Sequence, residues 1–145
     1  MNSPNESSET ETAALIAELR QNGIKHNPQN IIRIAKTAEG KIIFLETGNA
    51  TSGLQHILKD HLSQFADRGI STDQIPDVIM MAVTQGQIVG SQGKTSSTPR
   101  SIYQFTLNGE TKYLAVQVSE NGYIVSANPR TSIKFTEDNY GSRNN

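Results

Sequence analysis

The sequence predicts an α+β fold in which two helices pack on a four- or five-stranded, mainly antiparallel sheet, with an extra helix at the N-terminus. Three observations lead to this prediction. Apolar residues recur at helical spacing in two mid-chain segments. β-branched runs fill the chain from Gln87 onward. The dipeptides Asn108-Gly109 and Asn121-Gly122 separate those runs, and Asn-Gly favours the tight turns that join antiparallel strands.

The elements before residue 50 are a helix and a hairpin. Ser8 and Glu11 have capping-box spacing, and Gly23 is suited to end a helix, so we expect a short helix between them. The β-branched runs 30–36 and 41–46 flank a turn that contains Gly40, which predicts a hairpin.

The two main helices occupy the middle of the chain. The first follows the turn-forming segment 48–52 and ends at Gly69. The second begins at 71–73, has Pro76 in its first turn and ends at Gly86. The apolar stripe of the first helix consists of Leu54, Ile57, Leu58, Leu62 and Phe65. The remaining strands are expected at 88–90, 101–107, 113–118 and 123–127.

The chain length bounds the number of domains. A chain of 145 residues is expected to form one domain, with an acidic linker and short helix at 1–23, the folded body at 24–129 and a flexible tail at 130–145.

No apolar run approaches the roughly 20 residues that span a bilayer. The N-terminus lacks the basic and apolar segments of a secretory signal. The absence of cysteine excludes disulfides and thiolate metal sites.

The charge is unevenly distributed. The formal net charge is −1, but four glutamates precede the first basic residue, Arg20. The rest of the chain therefore carries all 13 basic side chains against 10 of the 14 acidic ones. This mildly basic body lacks a dense Lys/Arg patch, so any contact with nucleic acid is expected to be local.

A series of short motifs resembles the toxin-type nuclease domains of the barnase, EndoU, colicin and RelE-like superfamily. The resemblance covers roughly residues 41–129. It is carried by Gly53-Leu54-Gln55-His56, His61, Phe65, Gly69-Ile70, Ile75-Pro76, Gly90, Arg100-Ser101-Ile102-Tyr103 and the segment from Asn121-Gly122-Tyr123 to Asn128-Pro129.

The resemblance implies a function and a biological setting. Such domains stand at the C-termini of contact-dependent inhibition toxins and other polymorphic or phage-associated toxins, and they cut RNA in a cleft on the sheet. It implies an RNA substrate, with tRNA as one candidate, and a cognate immunity protein as partner, with no cofactor. Delivery within a larger secreted toxin would bring the domain to the cytoplasm of the target cell.

His56 and His61 are the candidate acid and base. Metal-free RNA cleavage uses the 2′-hydroxyl as nucleophile, and it requires a base, an acid and a cation that stabilises the charge developing on the phosphorus. An unperturbed imidazole titrates near about pH 6.5, so both protonation states are accessible at neutral pH. The expected products are a 2′,3′-cyclic phosphate and a 5′-hydroxyl.

Helical geometry leaves other roles open for both histidines. His61 falls within the apolar stripe, which is equally consistent with a buried structural histidine bonded to the backbone. His56 points to the opposite side, where a solvated residue paired with Asp60 is the simpler interpretation. The i and i+5 spacing argues against a shared metal site, because such ligands are not expected to converge.

Three candidates lie in or after the polar segment 93–99. Arg100 is a candidate phosphate clamp, although an arginine at the start of a strand is commonly just solvated. Tyr103 is a candidate for substrate positioning and is equally consistent with a core position. Lys94 is a candidate substrate-binding residue in the loop; EndoU-type enzymes use a lysine with two histidines, but this role stays unassigned here.

Two further candidates lie on the last strand. Ser126 matches a Ser/Thr position that holds phosphate in EndoU-like domains. Asn128 is a candidate substrate-binding residue, and turn formation before Pro129 is the simpler explanation for it. The alternative to a nuclease is a non-catalytic RNA- or protein-binding module on the same fold, and a metal hydrolase is a third possibility.

Overall fold

The computed structural model describes residues 4–93 and 100–131, with side chains from residue 9 onward. The predicted α+β class is confirmed: this part of the chain forms three helices and two antiparallel sheets. The helices are α1 (Pro4–Gln21), α2 (Gly53–Asp67) and α3 (Ile75–Gln85). The strands are β1 (Ile31–Lys36), β2 (Ile42–Glu46), β3 (Gln87–Gln92), β4 (Arg100–Leu107), β5 (Glu110–Val118) and β6 (Ile124–Arg130). Short 3-10 turns cover 28–30 and 72–74.

The larger sheet is a meander in the order β3-β4-β5-β6, with all neighbours antiparallel. The β4–β5 turn shows why Asn-Gly predicted a hairpin. Asn108 and Gly109 both have positive φ, at 52° and 81°, which matches the turn that follows the natural twist of the strands. Pairing then begins directly at Leu107 and Glu110.

The β1–β2 hairpin forms its own two-stranded sheet, and an isolated backbone bridge links it to the residue just before β6. An isolated parallel bridge joins Phe44 to Tyr123, where the Phe44 amide donates to the Gly122 carbonyl at 2.9 Å. A Cβ on Gly122 would lie 2.1 Å from the Ile42 carbonyl oxygen, so only glycine permits this approach. The strands therefore form two sheets, one of two strands and one of four, rather than the single sheet that was expected.

The main core lies between the sheets and the two central helices. α2 packs along β6, and α3 packs against β1, β4 and β5. Ile57 and Phe65 of α2 are fully buried, as their helical spacing predicted, whereas Leu62 is 39% exposed and lies outside the core. The predicted apolar stripe is thus narrower than the sequence suggested.

The N-terminal helix is packed against the body. It begins at Pro4, before the predicted capping box at Ser8, and its Leu19 is fully buried against Ile42 and Phe44. Lys36 of β1 also pairs with Glu18 at 3.0 Å. Within the described residues no helix is long and apolar enough to cross a membrane.

The last strand runs further than the sequence indicated. It continues through Asn128 and Pro129 to Arg130, and Arg130 pairs with Tyr113 of β5. A proline is compatible with this strand because β6 is an edge strand of its sheet, the position where strand prolines are tolerated. The expectation that Asn128 forms a turn is therefore wrong. Arg130, assigned to the tail, belongs to the strand; residues 132–145 lie outside the described part.

Candidate active site

The start of α2 is held by the loop at 47–53. Asn49 folds this loop on itself, because its side-chain oxygen accepts from the Thr51 and Ser52 amides at 2.9 and 3.2 Å. Ser52 then hydrogen-bonds through its hydroxyl to the hydroxyl of Tyr123 at 2.8 Å. Gly53 has a φ of +80°, and a Cβ there would lie 2.8 Å from the Gly48 Cα. The loop therefore fixes where the first turn of α2 begins relative to the sheet.

His56, in that first turn, is held by contacts on both ring nitrogens. Its Nδ1 lies 3.2 Å from the Ala50 carbonyl oxygen and 3.4 Å from the Asp60 carboxylate. A carbonyl only accepts, so Nδ1 is the donor in that bond. Nε2 lies 3.1 Å from the Ser126 hydroxyl. The pairing of His56 with Asp60 agrees with the simpler interpretation. The side chain is only 15% exposed, however, so His56 is not a solvated surface residue.

His61 faces His56. The two ring centroids are 6.2 Å apart and the ring planes are nearly perpendicular, at 88°. The expectation that the two histidines point to opposite sides is therefore wrong. A helical wheel separates positions 56 and 61 by about 140°, but it gives only the direction in which each Cβ leaves the helix and not where the ring ends.

His61 is half-buried and bonds to a side chain rather than to the backbone. Its Nδ1 lies 3.1 Å from the Gln64 side-chain oxygen. Burial lowers the pKa of His61, and the positive charges of Arg100 and His56 lower it further, against the opposing effects of Gln64 and Asp60. His61 is therefore biased toward the neutral form that accepts a proton.

Arg100 enters the same site from the start of β4. Its Nη1 donates to the Asn128 side-chain oxygen at 2.9 Å, and burial lowers its pKa while Asp60 raises it. The Asn128 carboxamide is itself bonded to Gln92 of β3, whose amide nitrogen donates to the same oxygen at 3.2 Å. Gln92 also accepts a bond from Arg130. This polar network across three strands fixes the guanidinium, whose positive charge acts on His61.

The structure brings together five of the seven residues that the sequence singled out. His56, His61, Arg100, Ser126 and Asn128 are linked by contacts or by charge. Ser126 is 1% exposed, and Asn128 is 8% exposed. Buried polar side chains need partners: Ser126 bonds to His56, and Asn128 bonds to Arg100, to Gln92 and to the Pro129 carbonyl. Lys94 lies outside the described residues.

Tyr103 is not part of this cluster. It is three positions from Arg100 in a strand without a bulge at that point, so the two side chains leave opposite faces of the sheet. Tyr103 packs against the main core and lines a cleft with Ile43, Val83 and Ile88. Burial raises the pKa of its phenol. The core alternative for Tyr103 agrees with this placement.

Asp60 is the main acidic group at the site. One ligand atom each from His56, Asp60 and His61 lies within 4.8 Å of the other two. The expectation that an i and i+5 pair does not converge is therefore wrong for this helix. The three side chains have donor types that can bind a transition metal.

Sequence reasoning missed several members of the site. Asp60 was considered only as a surface partner of His56, although its i+4 spacing was the available signal. Gln64 has the equivalent i+3 spacing from His61. Gln92 and Arg130 carry no comparable signal, because their contacts cross between strands and depend on register.

Comparison with known proteins adds no further constraint to this site. No protein-family model and no curated protein matches the chain.

Proposed function

We propose that this protein is a ribonuclease that cleaves RNA by metal-independent transesterification. The observation that carries the proposal is the pair of facing imidazoles, with ring centroids 6.2 Å apart, beside the half-buried Arg100. These groups can supply an acid, a base and a cation within one site. They are the three components that attack by a 2′-hydroxyl requires.

His61 is assigned as the general base. A base must be neutral before it can accept the 2′-hydroxyl proton, and the lowered pKa of His61 keeps it neutral at physiological pH. Gln64 holds one ring nitrogen, which leaves the other to face substrate. The attack then forms the 2′,3′-cyclic phosphate.

His56 is assigned as the general acid. Its Nδ1 donates to the Ala50 carbonyl at 3.2 Å and lies 3.4 Å from the Asp60 carboxylate, so these groups orient the ring with Nε2 toward the sheet. In the proposed reaction His56 donates a proton to the departing 5′-oxygen. Ser126 holds Nε2 at 3.1 Å and positions the ring until substrate replaces that contact.

Arg100 is assigned the role of binding the phosphate of the RNA. A guanidinium presents several donors in a planar fork that matches phosphate oxygens. Nη1 of that fork donates to Asn128, and this bond positions the other donors of the guanidinium. The charge that develops on the phosphate in the transition state would be stabilised there.

The wider setting is proposed from the sequence resemblance. It comprises an RNA substrate such as tRNA, delivery within a larger toxin to the target-cell cytoplasm, and an immunity protein. The half-buried Arg100 gives such a partner a positive charge to cover, so an acidic partner surface would be complementary.

The test is incubation of the purified protein with total cellular RNA in EDTA, followed by end-group analysis. We expect discrete fragments that end in 2′,3′-cyclic phosphate, and no cleavage of DNA, which lacks the nucleophile. His56→Ala and His61→Ala are expected to lower the rate by at least about 100-fold, the usual contribution of acid–base catalysis.

Tyr103→Phe is the matched control. It removes one hydroxyl from the opposite face of β4, so it should leave cleavage near the wild-type rate. Circular dichroism must show that each variant is folded. Intact RNA with folded wild-type protein would reject the ribonuclease and favour the non-catalytic binding module.

A further inference from the structure

We propose that His56, Asp60 and His61 form a binding site for a divalent transition-metal cation such as Zn²⁺, and that the bound cation inhibits the enzyme. The binding site stands on the geometry of α2 alone. The inhibition rests on the proposed ribonuclease function.

The spacing of the three donors supports metal binding. Ligand bonds of about 2.1 Å in a tetrahedral site place neighbouring donor atoms roughly 3.4 Å apart. His56 Nδ1 and Asp60 Oδ2 are 3.4 Å apart, and all three donors lie within 4.8 Å of one another. His61 is half-buried, so its ring remains accessible to a cation from solvent.

Both histidines already have the outer partners that metal-bound imidazoles use. A ligating histidine usually bonds through its second ring nitrogen to a neighbouring polar group, which fixes the ring. Ser126 holds His56 Nε2, which leaves Nδ1 on the side of Asp60. Gln64 holds His61 Nδ1, which leaves Nε2 as the ligand.

The donor set selects the class of cation. Two imidazoles and one carboxylate suit Zn²⁺ and similar metals, whereas Mg²⁺ and Ca²⁺ prefer oxygen ligands throughout. Three protein ligands also leave one position of a tetrahedral site open to water.

Metal binding and acid–base catalysis exclude each other here. A metal occupies the lone pair that His61 needs as base, and it takes the place of the Nδ1 proton that His56 shares with Ala50. The cation is therefore assigned as an inhibitor rather than a cofactor.

The binding test is calorimetric titration of ZnCl₂ into EDTA-treated, dialysed protein at pH 7. We expect one saturable equivalent in wild type and no saturable heat with MgCl₂. Asp60→Asn keeps the shape of an exposed side chain but weakens the ligand, and it should reduce Zn²⁺ affinity at least about tenfold.

His26→Ala is the control for nonspecific histidine binding. His26 lies in a separate cleft with Glu46 and Asn121, where its Nδ1 donates to the Ile24 carbonyl. Unchanged affinity in this variant supports the site. Absence of a saturable Zn²⁺ equivalent in wild type, or equal losses in His26→Ala and Asp60→Asn, would overturn it.

RNA cleavage separates this proposal from the proposed function. Inhibition by Zn²⁺ that follows the calorimetric affinity, with activity restored by EDTA, supports both. Zn²⁺ binding with undiminished cleavage would overturn the inhibitory role and leave the ribonuclease intact. Cleavage that requires Zn²⁺ would reject the metal-independent mechanism while retaining the binding site.

Discussion

At the scale of single residues, the roles of His56 and His61 depend on their neighbouring side chains, which the sequence indicates only in part. The residue types His, His and Arg predicted a metal-free phosphodiester cleavage site, and the structure places them together. Which histidine would serve as base and which as acid in the proposed reaction was not predictable, because that depends on burial and on neighbours such as Gln64. The different surroundings of His56 and His61 now support different roles.

The pH dependence of cleavage should reflect His61. The base works only when neutral, so activity is lost as the pH falls through the pKa of His61. Burial and Arg100 lower that pKa, so the acidic limb of kcat/KM should have its midpoint below about 6.5, the value of an unperturbed imidazole. The measurement is initial rates from pH 4.5 to 8 in EDTA.

Arg100→Gln provides the corresponding control. Loss of the positive charge removes one cause of the lowered pKa, so His61 should titrate at higher pH than in wild type. NMR titration of the His61 ring measures this even in an inactive variant. A wild-type acidic limb above pH 6.5 would argue against His61 as the base.

At the scale of elements, the boundaries were predictable where glycine, proline and Asn-Gly mark them. The helices end near Gly69 and Gly86, and Asn108-Gly109 forms the expected turn. The end of β6 was not predictable, because Pro129 normally interrupts a strand and the sequence does not reveal that this strand is an edge. For that reason a turn was the simpler expectation for Asn128, and its hydrogen bond with Arg100 was not foreseen.

Gly53→Ala should destabilise the protein more than Gly69→Ala. The two glycines have similar φ values, +80° and +77°, so both variants incur the left-handed backbone strain of about 1 kcal/mol. Only at Gly53 does the new Cβ also meet the Gly48 Cα at 2.8 Å and the Tyr123 hydroxyl at 2.9 Å. Urea denaturation measures both free energies of unfolding.

Activity gives a second readout for the same pair. A shift of the loop at 47–53 would move Ala50 away from His56, so folded Gly53→Ala should also cleave RNA more slowly, whereas Gly69→Ala should not. Equal stability losses in the two variants would show that the contact with Gly48 is relieved without cost.

At the scale of the whole molecule, the order of elements was predicted correctly, and their assembly was predicted only in outline. Periodicity and turn residues define each helix and strand, but they do not reveal that the β1–β2 hairpin stands apart from the meander. They also did not show that the N-terminal helix packs on the body through Leu19. Such contacts are long-range and leave no local pattern.

Leu19→Ala should lower the stability of the entire protein. Leu19 is fully buried against Ile42 and Phe44, and deletion of a buried leucine side chain costs about 2–5 kcal/mol. Ile16→Ala, which truncates a half-buried residue of the same helix, should cost less. Thermal and urea unfolding should shift as one transition. An unchanged midpoint in Leu19→Ala would show that the helix is a dispensable linker.

The bridge between Phe44 and Tyr123 has a consequence for the order in which the protein folds. Strands β3 to β6 pair only with their neighbours in sequence, so the meander can form through short loops. The bridge instead joins residues that are far apart along the chain, and the entropy of closing so long a loop is recovered only once the core packs. The hairpin should therefore dock late in folding. The start of α2, where the Ser52 hydroxyl bonds to the Tyr123 hydroxyl, would be completed in that same last step.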